Sequence, residues 1–286
     1  MEENEVKKGE KGAWISISAY ILLSIIKLIM GNLGNSEALK ADGLNNLTDV
    51  IASVAVLIGL RISQKPADEN HKYGHLRAET IASLVASLIM LTVGLQVVID
   101  SFRNLYNPVE ERPDLYTGAV ALFSSLFMYL VYRYNLKLSK RIGSKALYSA
   151  AQDNRSDALV SIGAAIGIAG AHLGLNWLDS LAAAIVGIII CLTAWVIFKE
   201  AAHDLTDGFE VKLLKEIEET INQTEGVKFV KNLRARLHGN HPIVDVTIFV
   251  EPSLTVIQSH DITVKIEDNL RKFHNIHHTH VHVEPH

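Results

Sequence analysis

Two pairs of polar residues lie within long apolar segments, and the members of each pair are four positions apart. Asn45 and Asp49 form the first pair, and Asp153 and Asp157 form the second. A spacing of four places both side chains on the same face of a helix. Three carboxylates and one amide can supply four oxygen ligands to a divalent metal. The sequence therefore predicts a metal site between two helices.

The two pairs lie at similar depths if each segment crosses a membrane as one helix. At about 1.5 Å of rise per residue, Asp49 lies roughly 20 Å from the end of its segment near position 62. Asp157 lies roughly 21 Å from position 143 on the same count, while Asn45 and Asp153 fall near 26 and 15 Å. Side-by-side packing would bring the two pairs together near the middle of the bilayer.

Carboxylates at that depth need a partner. Each costs several kcal/mol unless it is paired or bound to a cation. Without metal, three like charges cannot all stay ionised, so at least one carboxylate should take up a proton. Metal entry would then displace that proton, which is a physical basis for exchanging one ion against the other. The alternative is an ordinary salt bridge with Arg155, which would explain one aspartate but does not easily explain two matched pairs.

Three further aspartates within the apolar segments have expected roles of their own. Asp42 precedes Asp49 by seven residues and lies on roughly the same face, so it is a candidate for a supporting or vestibule group. Asp100 and Asp179 lie near segment ends and are expected at helix ends or in packing contacts.

Six apolar segments position these residues, at about 13–32, 37–62, 79–103, 114–136, 143–172 and 178–200. Each is long enough for a hydrocarbon core, which takes roughly 20 residues to cross. The sequence thus predicts an α-helical membrane protein with six transmembrane helices in residues 13–206, preceded by a cytoplasmic tail of residues 1–12. The polar, His-rich residues 207–286 follow as a small cytoplasmic domain.

The pattern of residues 207–286 predicts the order helix, strand, strand, helix, strand. "VKLLKEIEETINQ" and "VIQSHDITVKIEDNLRKF" have helical spacing, whereas "FVKNLRARLHG", "PIVDVTIFVEP" and "HTHVHVEP" alternate as strands do. This αββαβ order predicts a ferredoxin-like α+β domain with its helices on one face of a sheet.

Basic residues are distributed unevenly among the connecting segments. They are concentrated after the second and fourth spans: Arg61, Lys65, Lys72, Arg77, Arg133, Lys137, Lys140, Arg141 and Lys145. By the positive-inside rule both termini are expected to face the cytoplasm, in a multi-pass protein of a bacterial cell membrane. The start "MEENEVKKGEKG" lacks a cleavable signal pattern, so the first span is expected to direct insertion. A net charge of −4 gives no reason to expect a nucleic-acid partner, and the single Cys191 leaves no disulfide within the chain.

These features resemble the cation diffusion facilitator family. The resemblance rests on six spans, the ligand pairs in spans two and five, and the His-bearing tail. The loop "PADENHKYGHLRAE" matches the family's loop pattern at six positions, namely Pro66, Asp68, His71, Gly74, His75 and Glu79. The resemblance implies a homodimeric exporter of divalent metals that exchanges metal for protons by alternating access.

The ligand types bear on which metal is transported. Zinc-transporting members of the family commonly have a His in one of the paired positions, whereas Asn45 and Asp153 leave only oxygen donors here. Hard oxygen donors suit Mn²⁺, Mg²⁺ or Ca²⁺, and zinc favours nitrogen or sulfur. The set resembles the manganese-exporting bacterial branch, which implies Mn²⁺ as transported substrate and protons as counter-ion. Zn²⁺, Fe²⁺ and Co²⁺ stay open, because raw affinity favours zinc at almost any such site.

The resemblance implies a second metal site in the loop between spans two and three. Its residues are Asp68, His71 and His75, and the spacing of the two histidines predicts that both rings face one way on a short helical turn. A solvated polar loop without metal is the alternative.

A third metal site is implied in the cytoplasmic domain. His260, His282 and Glu284 match positions where zinc-type relatives bind metal. Lys231 and Thr247 replace imidazoles of that pattern, which argues against a complete binuclear site, although Asp245 is near enough in sequence to substitute. A partial site between two protomers would let metal draw the tails together and bias the membrane domain.

Two other function classes can be weighed. An intramembrane metalloenzyme needs an open metal position and a general base, as on a His-Glu-x-x-His helix. No such helix occurs in the sequence, so the protein is not expected to be an enzyme. A metal-gated sensor or channel without active exchange is the other alternative, but a cage of three acids favours binding and release over rapid permeation.

Overall fold

The computed structural model describes residues 2–106, 112–142, 145–239 and 241–286. The helices and strands are α1 (Glu2–Leu33), α2 (Glu37–Ser63), α3 (Ala78–Tyr106), α4 (Leu115–Ile142), α5 (Lys145–His172), α6 (Trp177–Leu205), α7 (Val211–Asn222), β1 (Phe229–His238), β2 (His241–Val250), α8 (Val256–His274) and β3 (His278–Pro285). All six predicted membrane segments are helices, and the αββαβ order of the tail is confirmed.

Several helices are longer than their apolar segments. The described part of residues 1–12 is helical and continuous with α1, because Glu and Lys favour helix and no proline interrupts this stretch. The helices α4 and α6 continue to Ile142 and Leu205, past the predicted bounds of 136 and 200. Hydropathy predicts where a helix leaves the membrane, whereas the helix itself continues for as long as the residues permit.

Within the described residues, five helices are long and apolar enough to cross a membrane. These are Trp14–Leu33, Glu37–Ser63, Ala78–Tyr106, Leu115–Arg141 and Trp177–Leu205. The exception is α5, whose hydropathy is lowered by Asp153, Arg155 and Asp157. It packs extensively against α4 and also contacts α1, which is where a helix with ionisable groups is expected in a membrane protein.

The chain divides into two compact units, and the first comprises Met1–Val54 and Ala86–Val196. Small residues let its helices approach closely, as expected in membrane bundles. In particular, Gly94 of α3 leaves no room for a side chain against Cys191 of α6, and Gly187 of α6 is as close to Val98. Large apolar side chains such as Ile25, Leu126 and Leu192 are exposed on the outside.

The second unit comprises Ala55–Val85 and Ile197–His286. Its sheet has the order β1-β2-β3, with β1 antiparallel and β3 parallel to β2. The parallel pairing requires a crossover, which α8 provides. The core contains Ile217 and Ile221 from α7, Val246 and Ile248 from β2, and Ile266 and Leu270 from α8.

Local signals set the ends of α8. The side chain of Thr255 accepts a hydrogen bond from the backbone N–H of Gln258, and the Gln258 side chain accepts one from the backbone N–H of Thr255. This reciprocal pair is a capping box, which satisfies two otherwise unpaired donors. At the other end Asn275 adopts a left-handed conformation with φ 56°, a common way to end a helix.

The substitution Leu270→Ala tests this core. Leu270 is fully buried between α8 and the sheet, and truncating such a leucine costs about 2–5 kcal/mol. In the full-length protein, amide hydrogen exchange in β2 should become faster. Val256→Ala is the control, because that side chain is 84% exposed and exchange should stay unchanged. Equal exchange in β2 for both variants would show that α8 does not stabilise the sheet.

Candidate metal centre

The two predicted ligand pairs meet in the first unit. Nδ2 of Asn45 on α2 donates a hydrogen bond to Oδ1 of Asp157 on α5 at 2.9 Å. Both side chains are buried. Asp49 is partly buried, and its Oδ2 accepts no hydrogen bond from the described residues. The contact leaves the amide oxygen of Asn45 and the remaining carboxylate oxygens as candidate metal ligands.

The four residues are not equivalent. Asp153 is exposed, one helical turn before the buried Asp157. Arg155 is exposed as well, and within the described part of the chain no ion pair joins it to either aspartate. The salt bridge that was the alternative explanation for these acids is therefore not formed.

The membrane carboxylates also stand apart from one another. Asp49, Asp153 and Asp157 do not form a group whose oxygens all lie within 4.8 Å, since the described residues contain one such group of three, elsewhere in the chain. A metal bound by all four ligands would need α2 and α5 to bring the carboxylates closer together. The arrangement can thus bind a cation once the carboxylates move closer together.

A buried lysine next to the ligand pairs was not singled out by the sequence analysis. Lys27 of α1 is fully buried, and its Nζ lies 2.9 Å from Oδ1 of Asp42, which is also fully buried. The same Nζ donates to Oδ1 of Asn46 at 2.7 Å and to Oγ of Ser161 at 3.0 Å. Three polar partners from α2 and α5 thus surround one ammonium group.

The Lys27 contacts define the role of Asp42. This aspartate is one half of a buried ion pair. Of the two roles expected from the sequence, it has that of a supporting group and not that of a vestibule group. The partners of Lys27 also lie beside the ligands, since Asn46 follows Asn45 and Ser161 is one turn after Asp157. The sequence does indicate that Lys27 needs a buried partner, because it is the single charged residue in Trp14–Leu33.

A second polar network fixes α5 against α1 and α4. The hydroxyl of Tyr20 donates to Oδ1 of Asn154 at 2.9 Å. Oγ of Ser16 accepts from Nδ2 of Asn135 at 2.8 Å and from Nδ2 of Asn154 at 3.0 Å. Asn154 directly follows Asp153, so these bonds set the rotation of the helix that carries both aspartates. Hydrogen bonds of this kind take the place of the hydrophobic effect between helices in lipid.

Asp179 of α6 caps the start of α2. Its Oδ1 accepts from Oγ of Ser36 at 2.8 Å, and its Oδ2 accepts from the backbone N–H of Glu37 at 2.7 Å. A carboxylate at a helix N-terminus satisfies free N–H groups and complements the helix dipole. The expected helix-end role of Asp179 is confirmed by these bonds.

The loop residues Asp68, His71 and His75 lie together in the second unit. Their ligand atoms are all within 4.8 Å of one another. Oδ1 of Asp68 lies 3.2 Å from Nδ1 of His71, and Oδ2 lies 3.5 Å from Nε2 of His75. The ring centroids of the two histidines are 4.3 Å apart. Geometrically, this loop could hold a divalent metal.

The backbone of this loop differs from the prediction. Residues 66–77 form bends and turns, so the short helical turn expected for His71 and His75 is wrong. Instead, Oδ1 of Asp68 accepts the backbone N–H groups of His71 at 2.7 Å and of Asn70 at 2.9 Å. These bonds lower the pKa of Asp68, that to His71 contributing most, and keep its carboxylate ionised for a cation.

The three predicted ligands of the tail do not come together within one chain. Among the described residues, His260, His282 and Glu284 do not form a group of ligand atoms within 4.8 Å. Nε2 of His282 is 3.8 Å from Oε1 of Glu284, while Nζ of Lys231 binds the other oxygen of Glu284 at 2.6 Å. His260 is exposed on α8.

Comparisons with known proteins cover nearly the whole chain. The family model described as "Cation efflux transmembrane domain" matches residues 13–206, and "Cation efflux protein, cytoplasmic domain" matches residues 210–286. The chain is 52% identical over 282 residues to the "Manganese efflux system protein MneS" of Bacillus subtilis, covering 99% of this chain and 97% of the relative.

Less similar proteins match the whole chain or its cytoplasmic domain. The "Manganese efflux system protein MneP" of Bacillus subtilis is 31% identical over 284 residues, covering 96% of this chain and 95% of the relative. A solved structure titled "MamM-CTD 215-293" is 30% identical, covering 27% of this chain and 100% of that chain. Its TM-score is 0.25, so the fold described above rests on the helices and strands of this chain.

The substitution Lys27→Met tests the buried ion pair. Removing one partner of such a pair leaves an uncompensated buried charge and costs about 3–5 kcal/mol. The free energy of unfolding, measured by denaturation of the purified protein in detergent, should fall by that amount. The double variant Lys27→Met with Asp42→Asn should recover most of the loss.

The matched control is Lys40→Met. Lys40 pairs with Glu37 at 2.9 Å, but both side chains are partly exposed. An exposed pair contributes at most about 1 kcal/mol. If Lys27→Met were no more destabilising than Lys40→Met, the Lys27–Asp42 pair would not hold the bundle together.

Proposed function

The chain belongs to the cation efflux, or cation diffusion facilitator, family of membrane transporters, and we propose that it exports Mn²⁺ from the cytoplasm. Transport would occur in exchange for protons, by alternating access in a homodimer. The observation that carries the proposal is the hydrogen bond between Asn45 and Asp157, which joins the two helices that carry the four oxygen ligands.

The choice of Mn²⁺ follows from the ligand types. Asn45, Asp49, Asp153 and Asp157 offer amide and carboxylate oxygens, which suit Mn²⁺ better than the nitrogen and sulfur ligands preferred by zinc. Two relatives that match across nearly their whole lengths carry names as manganese efflux proteins. Selection against Zn²⁺, Fe²⁺ and Co²⁺ would come from geometry, because affinity alone favours later transition metals.

Proton exchange is proposed from the charge balance of the site. The ammonium of Lys27 is already paired with Asp42. The other three carboxylates have no ion pair with Lys or Arg among the described residues. In an apolar environment, three like charges require a bound cation or protons. Mn²⁺ and protons would therefore occupy the site alternately, which couples their movement.

The separation of the carboxylates is consistent with alternating access. Their oxygens do not lie within 4.8 Å of one another as a group, so binding would draw α2 and α5 together around the metal. A site that contracts on loading gives the metal a differential affinity for two packings of the bundle. That difference is what a ligand needs to shift a conformational equilibrium.

Two accessory sites are proposed outside the membrane. Asp68, His71 and His75 would hold a divalent metal in the loop, since their ligand atoms already lie close together. In the cytoplasmic domain, the family's dimer-forming region, His260, His282 and Glu284 would contribute to a shared site between two protomers. Metal at that interface would act as a sensor that biases the membrane domain.

The orientation proposed from the charge distribution places both termini in the cytoplasm of a bacterial cell, with the membrane helices in the cell membrane. The family description assigns the region 210–286 to the cytoplasm. Because six helices separate the two ends of the chain, the described start of α1 would lie on the same side.

The substitution Asp157→Ala should abolish transport while leaving the protein folded, because it removes a central ligand and the partner of Asn45. Transport is measured in everted vesicles as Mn²⁺ uptake together with lumenal pH. In the wild type the lumen should become more alkaline as Mn²⁺ enters and protons leave. The control Asp100→Ala changes an aspartate that bonds to Gln96 near the end of α3, and it should transport normally.

Two outcomes would count against the proposal. Normal Mn²⁺ uptake by Asp157→Ala would show that the quartet is not the transport site. Uptake by the wild type without any change in lumenal pH would indicate a metal-gated channel and not an exchanger.

The substitution Asp153→His should shift selectivity toward Zn²⁺, because an imidazole replaces a hard oxygen donor. The ratio of Zn²⁺ to Mn²⁺ transport rates, measured in the same vesicles, should rise by about tenfold, which corresponds to about 1.4 kcal/mol. Asp153→Asn is the control, since it keeps an oxygen donor and should not raise the ratio. An unchanged ratio for Asp153→His would refute the link between ligand type and metal choice.

A further inference from the structure

A cavity of about 510 Å³ lies in the second unit between the loop that follows α2 and the sheet. Its walls include Tyr73 and Leu76 from the loop and Ile243 from β2. Six basic or titratable nitrogen-bearing side chains line it, namely Lys65, Lys72, His238, His241, His278 and His280. None of its described lining residues is an aspartate or glutamate. A concave surface with this composition concentrates positive charge.

His238 lines the cavity as a neutral imidazole, because its pKa is lowered. Burial is the main cause that lowers the pKa of His238, and the guanidinium of Arg77 lowers it further. Nε2 of His238 is buried and has no hydrogen-bond partner among the described residues. Asp68 is the acidic residue nearest in sequence to Lys65, and it is bound to His71 and His75. The positive charge at the cavity therefore comes from Lys65 and Lys72.

A metal ion does not fit this set of residues. Among the described histidines, His238, His241, His278 and His280 include no group of three with ring nitrogens within 4.8 Å. Two lysines would also repel a cation. An anion with several acceptor oxygens can accept hydrogen bonds from ammonium groups and from imidazole N–H groups at once.

The position of the cavity in the chain suggests where such an anion comes from. Ser63, the last residue of α2, and Gln64 both line it. The helix α2 is a candidate membrane span, so the cavity begins where the chain leaves the bilayer. Anionic phospholipid headgroups and soluble cytoplasmic phosphates both reach this level, and basic clusters at the ends of spans attract the former.

We propose that this cavity binds a phosphate-bearing anion. The oxygens of the phosphate would contact Lys65 and Lys72 from the loop and the histidines from β1, β2 and β3. Such a ligand would link the loop that contains Asp68, His71 and His75 to the sheet of the cytoplasmic domain. The loop would be held in one conformation while the anion is bound. The proposal does not depend on which metal the membrane site transports.

The test uses the full-length purified protein and two probes. In one arm, inorganic phosphate is titrated in detergent and the midpoint of thermal unfolding is followed. In the other arm, the protein is placed in nanodiscs of phosphatidylglycerol or of phosphatidylcholine, and retained lipid is counted by native mass spectrometry after transfer to detergent. Saturable stabilisation by phosphate would identify a soluble source, and selective retention of phosphatidylglycerol would identify a lipid source.

The variant Lys65→Gln with Lys72→Gln removes both ammonium groups from the cavity. Each basic residue near an anionic group contributes about fivefold in affinity, so binding should weaken by about 30-fold. The control Lys212→Gln with Lys215→Gln removes two exposed lysines of α7 that do not line the cavity, and it should bind like the wild type. If the first variant unfolds, Lys72→Gln with His278→Asn takes its place, with the same expected direction.

Three results would overturn the proposal. The first is equal binding by the cavity variant and the control. The second is that neither phosphate nor phosphatidylglycerol binds the wild type. The third is Mn²⁺ or Zn²⁺ binding that is lost on His238→Asn with His278→Asn, since that would make the cavity a metal site.

Discussion

The ammonium of Lys27 and the carboxylate of Asp42 lie 2.9 Å apart, and neither is exposed at all. Within a membrane-spanning bundle neither charge could be buried alone without a large cost. The helices α1 and α2 must therefore pack in the one register that keeps the pair together. Because Lys27 also bonds to Asn46 and Ser161, the same contact fixes the register of α5. The meeting of Asn45 with Asp157 depends on it.

Two layers of charge in the bundle behave differently. In the first, one lysine balances one aspartate, so the layer is neutral and serves to hold helices together. In the second, Asp49, Asp153 and Asp157 have no ion pair with a basic side chain in the described ranges. Because no basic side chain balances these carboxylates, a bound metal ion or protons must balance them. The proposal that Mn²⁺ and protons alternate there rests on this contrast between neighbouring layers.

Much of the fold could be predicted because its signals are local. Apolar segments located the six helices, and periodicity gave the αββαβ order of the tail. Helix rise converts sequence position into depth, and it placed the two pairs at overlapping depths, although it put Asp49 and not Asn45 level with Asp157. A regular element and one geometric constant were sufficient for these predictions.

Other features depend on contacts between distant parts of the chain. The partners of Lys27 come from α2 and α5. The sequence around Lys27 shows a single charged residue and does not show which acidic residue pairs with it. The exposure of Asp153 depends on how far α5 is rotated, which is set by the bonds of Asn154 to Ser16 and Tyr20. The conformation of the loop at Asp68 is set by hydrogen bonds from backbone N–H groups to the Asp68 side chain. Short polar residues favour such bonds in place of a helix.

The nature of the bound metal's ligands can be read directly by X-ray absorption at the manganese edge. The sample is the full-length protein with His71→Asn, His75→Asn, His260→Asn and His282→Asn, loaded with one equivalent of Mn²⁺, so that the imidazoles of the two proposed accessory sites cannot contribute. We expect a shell of oxygen ligands without the multiple scattering that imidazole produces, and its loss when Asp157→Ala is added. Imidazole scattering in that spectrum, or an unchanged spectrum after Asp157→Ala, would contradict a transport site built from Asn45, Asp49, Asp153 and Asp157.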